Sequence, residues 1–166
     1  SHGNLDKTTY VGYTQLAALI KQERNHNPTR TLLLSSGDNI QGDAMSYYFK
    51  TAPTGFASDG TPIADPTMHI QPLIKAFNDM NYDAMTLGNH EFDGNKDNPE
   101  ILESFVSGLN FPVVTANVTF PAASSLSQSV KPYTVLDVND QKIGVIGLVT
   151  PETEILSTPG KDIVFN

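Results

Sequence analysis

The sequence predicts an α/β fold with a mostly parallel sheet. Three stretches of helical periodicity alternate with three short apolar runs, and this order is typical of parallel βαβ crossovers. The chain has 166 residues, of which 39% are hydrophobic. This length and composition are those of one globular domain with a hydrophobic core.

Each predicted helix carries apolar residues at spacings of three and four. The stripes are Tyr13, Leu16, Ala17 and Ile20, then Ile70, Leu73, Ile74 and Phe77, then Ile101, Leu102, Phe105, Val106 and Leu109. The first stripe ends before Pro28. Pro99 opens the third helix at its first turn and Pro112 closes it, because proline is tolerated only at a helix start.

The runs between the helices are short and apolar, as expected of buried strands. They are TLLLSS (31–36), DAMTL (83–87) and PVVTA (112–116). Later, YTVLDV and KIGVIGLVT flank NDQ and predict a hairpin. The stretches 50–69 and 119–132, rich in Pro, Gly and Thr and in Ser and Ala, predict surface loops.

The composition excludes several functions. The net charge is −8 and the ten Lys and Arg residues are scattered, which argues against polymeric nucleic acid as a partner because such binding needs a basic stripe. A small phosphorylated substrate stays compatible if a metal neutralises it. The chain has no cysteine, so disulfides, thiolate zinc sites and cysteine nucleophiles are excluded. No apolar run approaches the length of a membrane span.

Polar residues cluster where two of the predicted strands end. Gly37, Asp38 and Asn39 follow the first strand, and GNHEFDG (88–94) follows the second. In an α/β sheet, ligand sites form beyond the carboxyl ends of the strands. Imidazole, carboxylate and amide oxygen together suit divalent transition metals better than calcium alone. These residues therefore predict a metal-dependent site at one edge of the sheet.

The chemistry of each side chain suggests a role. Asp38 has two oxygens with which to bridge two ions, and Asn89 offers a neutral oxygen to one of them. Two ions about 3.5–4 Å apart clamp the attacking and departing oxygens of a phosphoryl displacement. His90 points elsewhere, and a hydrogen bond from its ring to Asp93 would favour the imidazolium form, which suits proton donation. His2 lies shortly before the first helix, where an earlier strand would end.

These motifs resemble those of the calcineurin-like metallophosphoesterases. GDN (37–39), GNHEFD (88–93), HG (2–3) and GLVTPET (147–153) resemble most closely the branch of 5′-nucleotidases and 2′,3′-cyclic-nucleotide phosphodiesterases. The resemblance implies that the chain is part of a four-layer α/β/β/α sandwich. It also implies a small-molecule nucleotide as substrate and two divalent metal ions as cofactors, with Mn, Zn, Mg, Ca, Fe and Co not distinguished. It also implies a water activated by the ions as nucleophile, and an extracytoplasmic location.

The resemblance also assigns site residues. It makes His2 a ligand of one metal, Asp38 the bridging ligand and Asn89 a ligand of the other metal. It makes His90 the catalytic histidine and Asp93 the residue that orients it. Glu91, in the same motif, is expected to be structural.

The sequence departs from the family pattern in two places. The first family motif is Asp-x-His, and its Asp would precede Ser1; the family also supplies later histidines, whereas none follows His90. We therefore expect residues 1–166 to be the N-terminal portion of a metallophosphoesterase catalytic domain, without the rest of that domain and the C-terminal nucleotide-binding domain. Apolar surface left exposed would favour self-association.

Other interpretations stay open for these residues. His2 has the alternative of a tag remnant at a mobile terminus, and Asp38 that of a turn cap. Asp93 has the alternative of a helix cap. Asn89 and His90 have that of a hydrogen-bonded turn without chemistry. Two further histidines lack partner spacing and are expected at a helix end and in a loop, namely His26 and His69.

Two functional hypotheses accompany the hydrolysis of nucleotide phosphate esters by the parent protein. In the first, the chain is a catalytically incomplete scaffold with weak metal affinity. In the second, the parent is a metallophosphohydrolase that acts on a non-nucleotide ester, since a fold does not fix a substrate.

Overall fold

The computed structural model describes residues 12–41, 55–56, 62–63, 71–97 and 99–166. Its helices are α1 (Tyr13–His26), α2 (Gln71–Asp79), α3 (Pro99–Gly108), α4 (Leu126–Ser129) and α5 (Thr153–Leu156), with a 3₁₀ helix over Asn89–Phe92. Its strands are β1 (Leu34–Ser35), β2 (Gly55–Phe56), β3 (Pro62–Ile63), β4 (Ala84–Thr86), β5 (Val113–Val114), β6 (Val118–Thr119), β7 (Tyr133–Val138), β8 (Gln141–Ile146) and β9 (Val164–Phe165).

The alternating strands form the parallel sheet that the sequence predicts. Its order is β1-β4-β5, with Leu34 opposite Ala84 and Met85 opposite Val113. Each strand is shorter than its apolar run; β1, for example, covers two of the residues 31–36. Because all three strands run in one direction, their carboxyl ends meet at the same edge.

The three predicted helices are confirmed as α1, α2 and α3, although Ile70 of the second stripe lies outside the described residues. The apolar side chains of α1 pack against a cluster around Phe77. Phe77 belongs to α2 and is fully buried. The ring centroid of Phe77 lies 4.7–6.5 Å from four other aromatic rings, those of Tyr13, Tyr82, Phe105 and Phe111.

The largest core cluster lies between the sheet, α3 and the C-terminal segment. Phe92 is fully buried in it, with its ring centroid 5.0 Å from that of Phe165 and 6.4 Å from that of Phe120. Phe92 is the last residue of the 3₁₀ helix. The turn that follows β4 is therefore anchored in the core by its own side chain.

The predicted loop over 119–132 is wrong in part. Residues 126–129 form α4, and β6 pairs antiparallel with β9 at the start of the stretch. Leu126 and Val130, one helical turn apart, are 2% and 8% exposed, so burial of these two side chains stabilises the helix. Glu103 of α3 accepts hydrogen bonds from the hydroxyl of Ser124 and the N–H of Ser125.

Most of the other predicted loop, 50–69, lies outside the described residues, as does His69. Its described part is a short antiparallel pair, in which Gly55 lies opposite Ile63 and Phe56 opposite Pro62. The expectation of loop structure is therefore wrong for these four residues.

The predicted hairpin is confirmed as β7 and β8. Its two-residue turn is Asn139–Asp140, with φ of 50° and 63°, as a twisted two-residue hairpin turn requires. Gln141 of the predicted turn belongs to β8, and β8 ends at Ile146 rather than running to 150. The base of the hairpin is attached to the sheet because the N–H of Thr115 donates to the carbonyl of Lys131 over 2.8 Å.

One face of the hairpin is apolar and open to solvent. Tyr133 lies directly opposite Ile146, and they are 59% and 69% exposed; Val135, two residues along the same face, is 54% exposed. Leu148, just after the hairpin, is 68% exposed. The exposed apolar surface expected from the sequence is therefore present. The hairpin is a separate two-stranded sheet among the described strands, and the four-layer sandwich stays a prediction.

Within the described ranges, the helices are too short or too polar for any of them to cross a membrane.

Replacing Phe77 by alanine should destabilise the protein strongly. Loss of a fully buried phenylalanine removes apolar contacts and leaves a cavity, at a cost of about 3–5 kcal/mol. Urea unfolding followed by circular dichroism measures the change. The control is Leu19→Ala on α1, whose side chain is 52% exposed and whose loss should change the free energy by less than about 0.5 kcal/mol. Equal losses in the two variants would contradict this account of the core.

Candidate active site

Two turns leave the carboxyl ends of the neighbouring strands β1 and β4 and touch each other. The first turn is residues 36–39 and the second turn is residues 88–93. Gly37 has φ of +88°, and a Cβ built on it would lie 2.1 Å from the backbone nitrogen of Gly88. A Cβ on Gly88 would lie 2.3 Å from Oδ1 of Asp38. Glycine is therefore required at both positions, because only a residue without Cβ allows this approach.

Glu91 joins the two turns through its carboxylate. Its Oε2 accepts from the N–H of Gly88 over 2.6 Å and from that of Asp38 over 2.7 Å, while Oε1 accepts from the N–H of Asn39 over 2.6 Å. The side chain of Glu91 is 1% exposed. Asp38 has φ of +59°, an uncommon conformation for a residue with Cβ. The hydrogen bond from its N–H to Glu91 helps to hold it there.

Two opposing effects act on the Glu91 carboxyl. Burial raises its pKa above the ordinary value, because the charged form loses its hydration. The hydrogen bonds from Asn39, Asp38 and Gly88 lower the pKa, since they stabilise the carboxylate, and the nearby Asp38 carboxylate raises it again. The net shift is upward. Glu91 thus has the structural position that the sequence predicts for it.

The second turn carries Asn89 and His90 to the Asp38 carboxylate. The backbone N–H of His90 donates to Oδ1 of Asp38 over 3.0 Å. The structure thus brings the second turn, which contains Asn89 and His90, against Asp38 at one edge of the sheet. Asp38 also has the turn-capping role considered as its alternative, because its carboxylate accepts the backbone N–H of His90 in the neighbouring turn.

The ring of His90 lies against Asp93. Nδ1 of His90 is 2.8 Å from Oδ2 of Asp93, and the two side chains are 28% and 25% exposed. The N–H of Asp93 donates to the carbonyl of His90 over 3.3 Å and ends the 3₁₀ helix. Asp93 therefore both terminates the helix and holds the ring. A carboxylate at Nδ1 places the proton there in the neutral ring and leaves Nε2 on the opposite side of the imidazole.

The chemistry of the donors at this edge fits a divalent ion. Asp38 supplies carboxylate oxygens and Asn89 an amide oxygen, ligand types that divalent cations accept. Across the described ranges, no three His, Cys, Asp or Glu side chains are grouped closely enough to hold a metal by themselves. The predicted ligand His2 lies outside the described residues.

Sequence analysis assigned no individual role to two residues that support this site. Asn39 is fully buried, and its Nδ2 donates to Oγ of Ser35 over 3.0 Å. Oγ1 of Thr158 accepts a hydrogen bond over 2.7 Å from the N–H of Gly94, which lies 64 residues earlier and directly follows the second turn. The position of Asn39 in the GDN motif is a sequence signal that could have identified it, whereas the sequence gives no local signal for Thr158. His26 lies at the end of α1 beside Glu23, as expected.

Comparisons with known proteins agree with the motifs. A 5′-nucleotidase from the venom of Naja atra is 32% identical over 158 residues, which cover 94% of this chain and 26% of the relative. The crystal structure of a 5′-nucleotidase precursor from Thermus thermophilus matches with a TM-score of 0.72 and 30% identity, over 93% of this chain and 26% of its own. No protein-family model matches the chain.

A third match gives the broader class. The structure of the calcineurin-like phosphoesterase YfkN from Bacillus subtilis has a TM-score of 0.62 and 29% identity, over 91% of this chain and 44% of its own. Over nearly its whole length the chain is thus homologous to proteins named 5′-nucleotidase and similar in structure to a calcineurin-like phosphoesterase. It spans about a quarter of the length of the first curated relatives that it matches.

Replacing Glu91 by glutamine should destabilise the protein even though the shape is kept. The side-chain amide would turn its NH₂ group towards at least one of the backbone N–H groups that the carboxylate now accepts. A buried donor without an acceptor costs about 1–3 kcal/mol, which urea unfolding can measure.

The matched control for this substitution is Glu103→Gln. Glu103 is only partly buried, and the hydroxyl of Ser124 that it binds can rotate towards another acceptor. Its loss should stay below about 1 kcal/mol. A Glu91→Gln variant as stable as this control would show that the carboxylate does not hold the turns together.

Proposed function

We propose that the protein from which this chain comes hydrolyses phosphate esters of nucleotides, as a 5′-nucleotidase or a 2′,3′-cyclic-nucleotide phosphodiesterase that uses two divalent metal ions. The observation that supports the proposal is the contact between the two turns, in which the Asp38 carboxylate lies against Gly88 and the backbone N–H of His90, on either side of Asn89. Homology with 5′-nucleotidases over 94% of the chain supports the choice of substrate.

The ligand set assigned by the motifs is His2, Asp38 and Asn89. Asp38 would bridge the two ions, while Asn89 would bind one and His2 the other. When bound, the ions would neutralise the phosphate oxygens and activate the attacking water. Asp38 is suited to this position because its backbone conformation is held by Glu91 before any ion binds. A preformed ligand costs less to order when the ion arrives.

His90 and Asp93 would act on the phosphate from the rim of the site. Asp93 holds Nδ1 of the ring, so the opposite nitrogen, Nε2, is the atom that would face an oxygen near the leaving group. From that position the ring would donate a proton to the oxygen or stabilise its negative charge. The ring is about three-quarters buried, which restricts its motion.

We further propose that residues 1–166 are the N-terminal part of the catalytic domain. The coverage of about a quarter of the relatives supports this. The remaining ligands and the nucleotide-binding domain would then come from other parts of the protein. The competing hypothesis of a scaffold with weak metal affinity describes this chain when it is studied alone. An extracytoplasmic location is proposed from the venom origin of one relative.

Metal-dependent activity should separate the parent protein from this chain. A protein extended to the length of its relatives should release phosphate from a nucleotide in the presence of Mn²⁺, and EDTA should abolish the release. His90→Asn should lower kcat by about 10²–10⁴-fold, as expected for loss of a general acid. The 166-residue chain should show almost no activity under the same conditions.

The control for the histidine is His26→Asn, on the exposed end of α1, which should leave kcat unchanged. Equal kcat values in the His90 and His26 variants would remove His90 from the mechanism. High activity of the 166-residue chain alone would refute the proposal that its site is incomplete. A panel of nucleotides and other phosphate esters tests the substrate class, and a preference for the latter would refute the nucleotide assignment.

The exposed face of the β7–β8 hairpin should drive self-association of the chain. Burial of Tyr133, Val135 and Ile146 against a second copy would remove apolar surface from water. Sedimentation velocity at several concentrations should show a larger species that Ile146→Lys abolishes. Leu19→Lys, which changes an exposed residue of α1, is the control and should not affect it. A monomer at every concentration would contradict the prediction.

A further inference from the structure

The segment after α5 is bonded to the chain that follows the second turn. Oγ1 of Thr158 accepts a hydrogen bond from the N–H of Gly94 over 2.7 Å, and its carbonyl oxygen accepts one from the N–H of Lys96 over 2.9 Å. One residue thus fixes two backbone groups within three positions of Asp93. The GLVTPET motif that leads into this segment has no role in the chemistry described above.

The helix that precedes Thr158 supports the same turn. Helix α5 packs against the 3₁₀ helix that carries Asn89 and His90. Thr153, its first residue, is fully buried and donates its hydroxyl to the carbonyl of Thr150 over 2.7 Å. The second turn therefore has the C-terminal segment along one side, from α5 to Thr158.

This arrangement bears on how the ring of His90 is held. Asp93 binds the ring through its carboxylate, and its backbone is held on the N-terminal side by a hydrogen bond of 3.3 Å to the carbonyl of His90. On its C-terminal side the next residue is Gly94, which Thr158 holds. Gly94 has φ of +74°. Without a restraint, a glycine adopts many other backbone conformations as readily as this one.

We infer that Thr158 is a positioning residue for the His90–Asp93 pair: its hydroxyl fixes Gly94, and this keeps the carboxylate of Asp93 on Nδ1 of the ring. The inference rests on the proposed function, because only there does the orientation of the ring affect a reaction. Thr158 itself is solvent-exposed, so its hydroxyl contributes little to the core. Its effect is therefore expected on the local order of the turn rather than on global stability.

Two substitutions isolate the hydroxyl. Thr158→Val keeps the shape and the backbone carbonyl but removes the acceptor for Gly94, and Thr158→Ser keeps the acceptor but removes the methyl group. The readout is the ring ¹⁵N signals of His90 in the ¹⁵N-histidine-labelled chain at one fixed pH, which report which ring nitrogen carries the proton. Asp93→Asn supplies the reference signals of a ring without its carboxylate.

The valine variant should shift the His90 signals most of the way towards those of Asp93→Asn, and the serine variant should restore the original signals. The signals of His26, on α1, should not move in any variant. The urea midpoint of the valine variant should equal that of the unmodified chain. Unchanged His90 signals in the valine variant, or a serine variant that resembles valine, would overturn the inference.

Hydrogen exchange in the unmodified chain tests the same contact without a substitution. The amides of Gly94 and Lys96 should both exchange more slowly than exposed amides. Exchange of the Gly94 amide at the rate of an exposed amide would overturn the inference. These readings need neither metal nor nucleotide. A failure of nucleotide hydrolysis would leave the ring signals unchanged, so the two failures can be distinguished.

Discussion

The Glu91 carboxylate is the constraint on which the arrangement of the site depends. It is buried and accepts three backbone N–H groups, two of them from a turn more than 50 residues earlier. A buried charge is costly unless its oxygens are hydrogen-bonded, and these bonds offset part of that cost. The same bonds tie the ends of β1 and β4 together. The charge that would destabilise an apolar core therefore specifies the distance between the two turns.

The rest of the fold keeps this contact in place. Parallel pairing of β1 with β4 brings the two turns to one edge, and the glycines at 37 and 88 allow their backbones to approach. Phe92, next to Glu91, is buried against Phe165 and so anchors the second turn. His90 and Asp93, which flank this anchor in the sequence, are partly exposed. A rigid base with a more open rim is what a site needs if it is to admit a substrate.

The surface of the chain includes an exposed apolar face, in contrast to its well-packed core. The core contains well-packed aromatic rings around Phe77, whereas the hairpin presents Tyr133 and Ile146 to solvent. A two-stranded hairpin is marginal by itself, and a soluble protein seldom leaves such a face uncovered. This contrast agrees with the finding that the chain spans about a quarter of its curated relatives.

The sequence by itself determined the features that depend on near neighbours. The periodicity of apolar residues placed α1, α2 and α3, Asn139–Asp140 set the hairpin turn, and the three-residue spacing from His90 to Asp93 set their contact. The motifs also carried the likeness to the 5′-nucleotidases. These features were predictable because backbone geometry fixes which residues meet over one or two turns of chain.

Only the tertiary structure decided the contacts between distant parts of the chain. Examples are the bonds of Glu91 to the first turn, the bond of Thr158 to Gly94, and the burial of Leu126 in a stretch that resembled a loop. Residues 52 and 64 positions apart meet in the first two cases because the fold packs their elements together. No local pattern records such a meeting, since the partner of a hydrogen bond is set by packing and not by spacing.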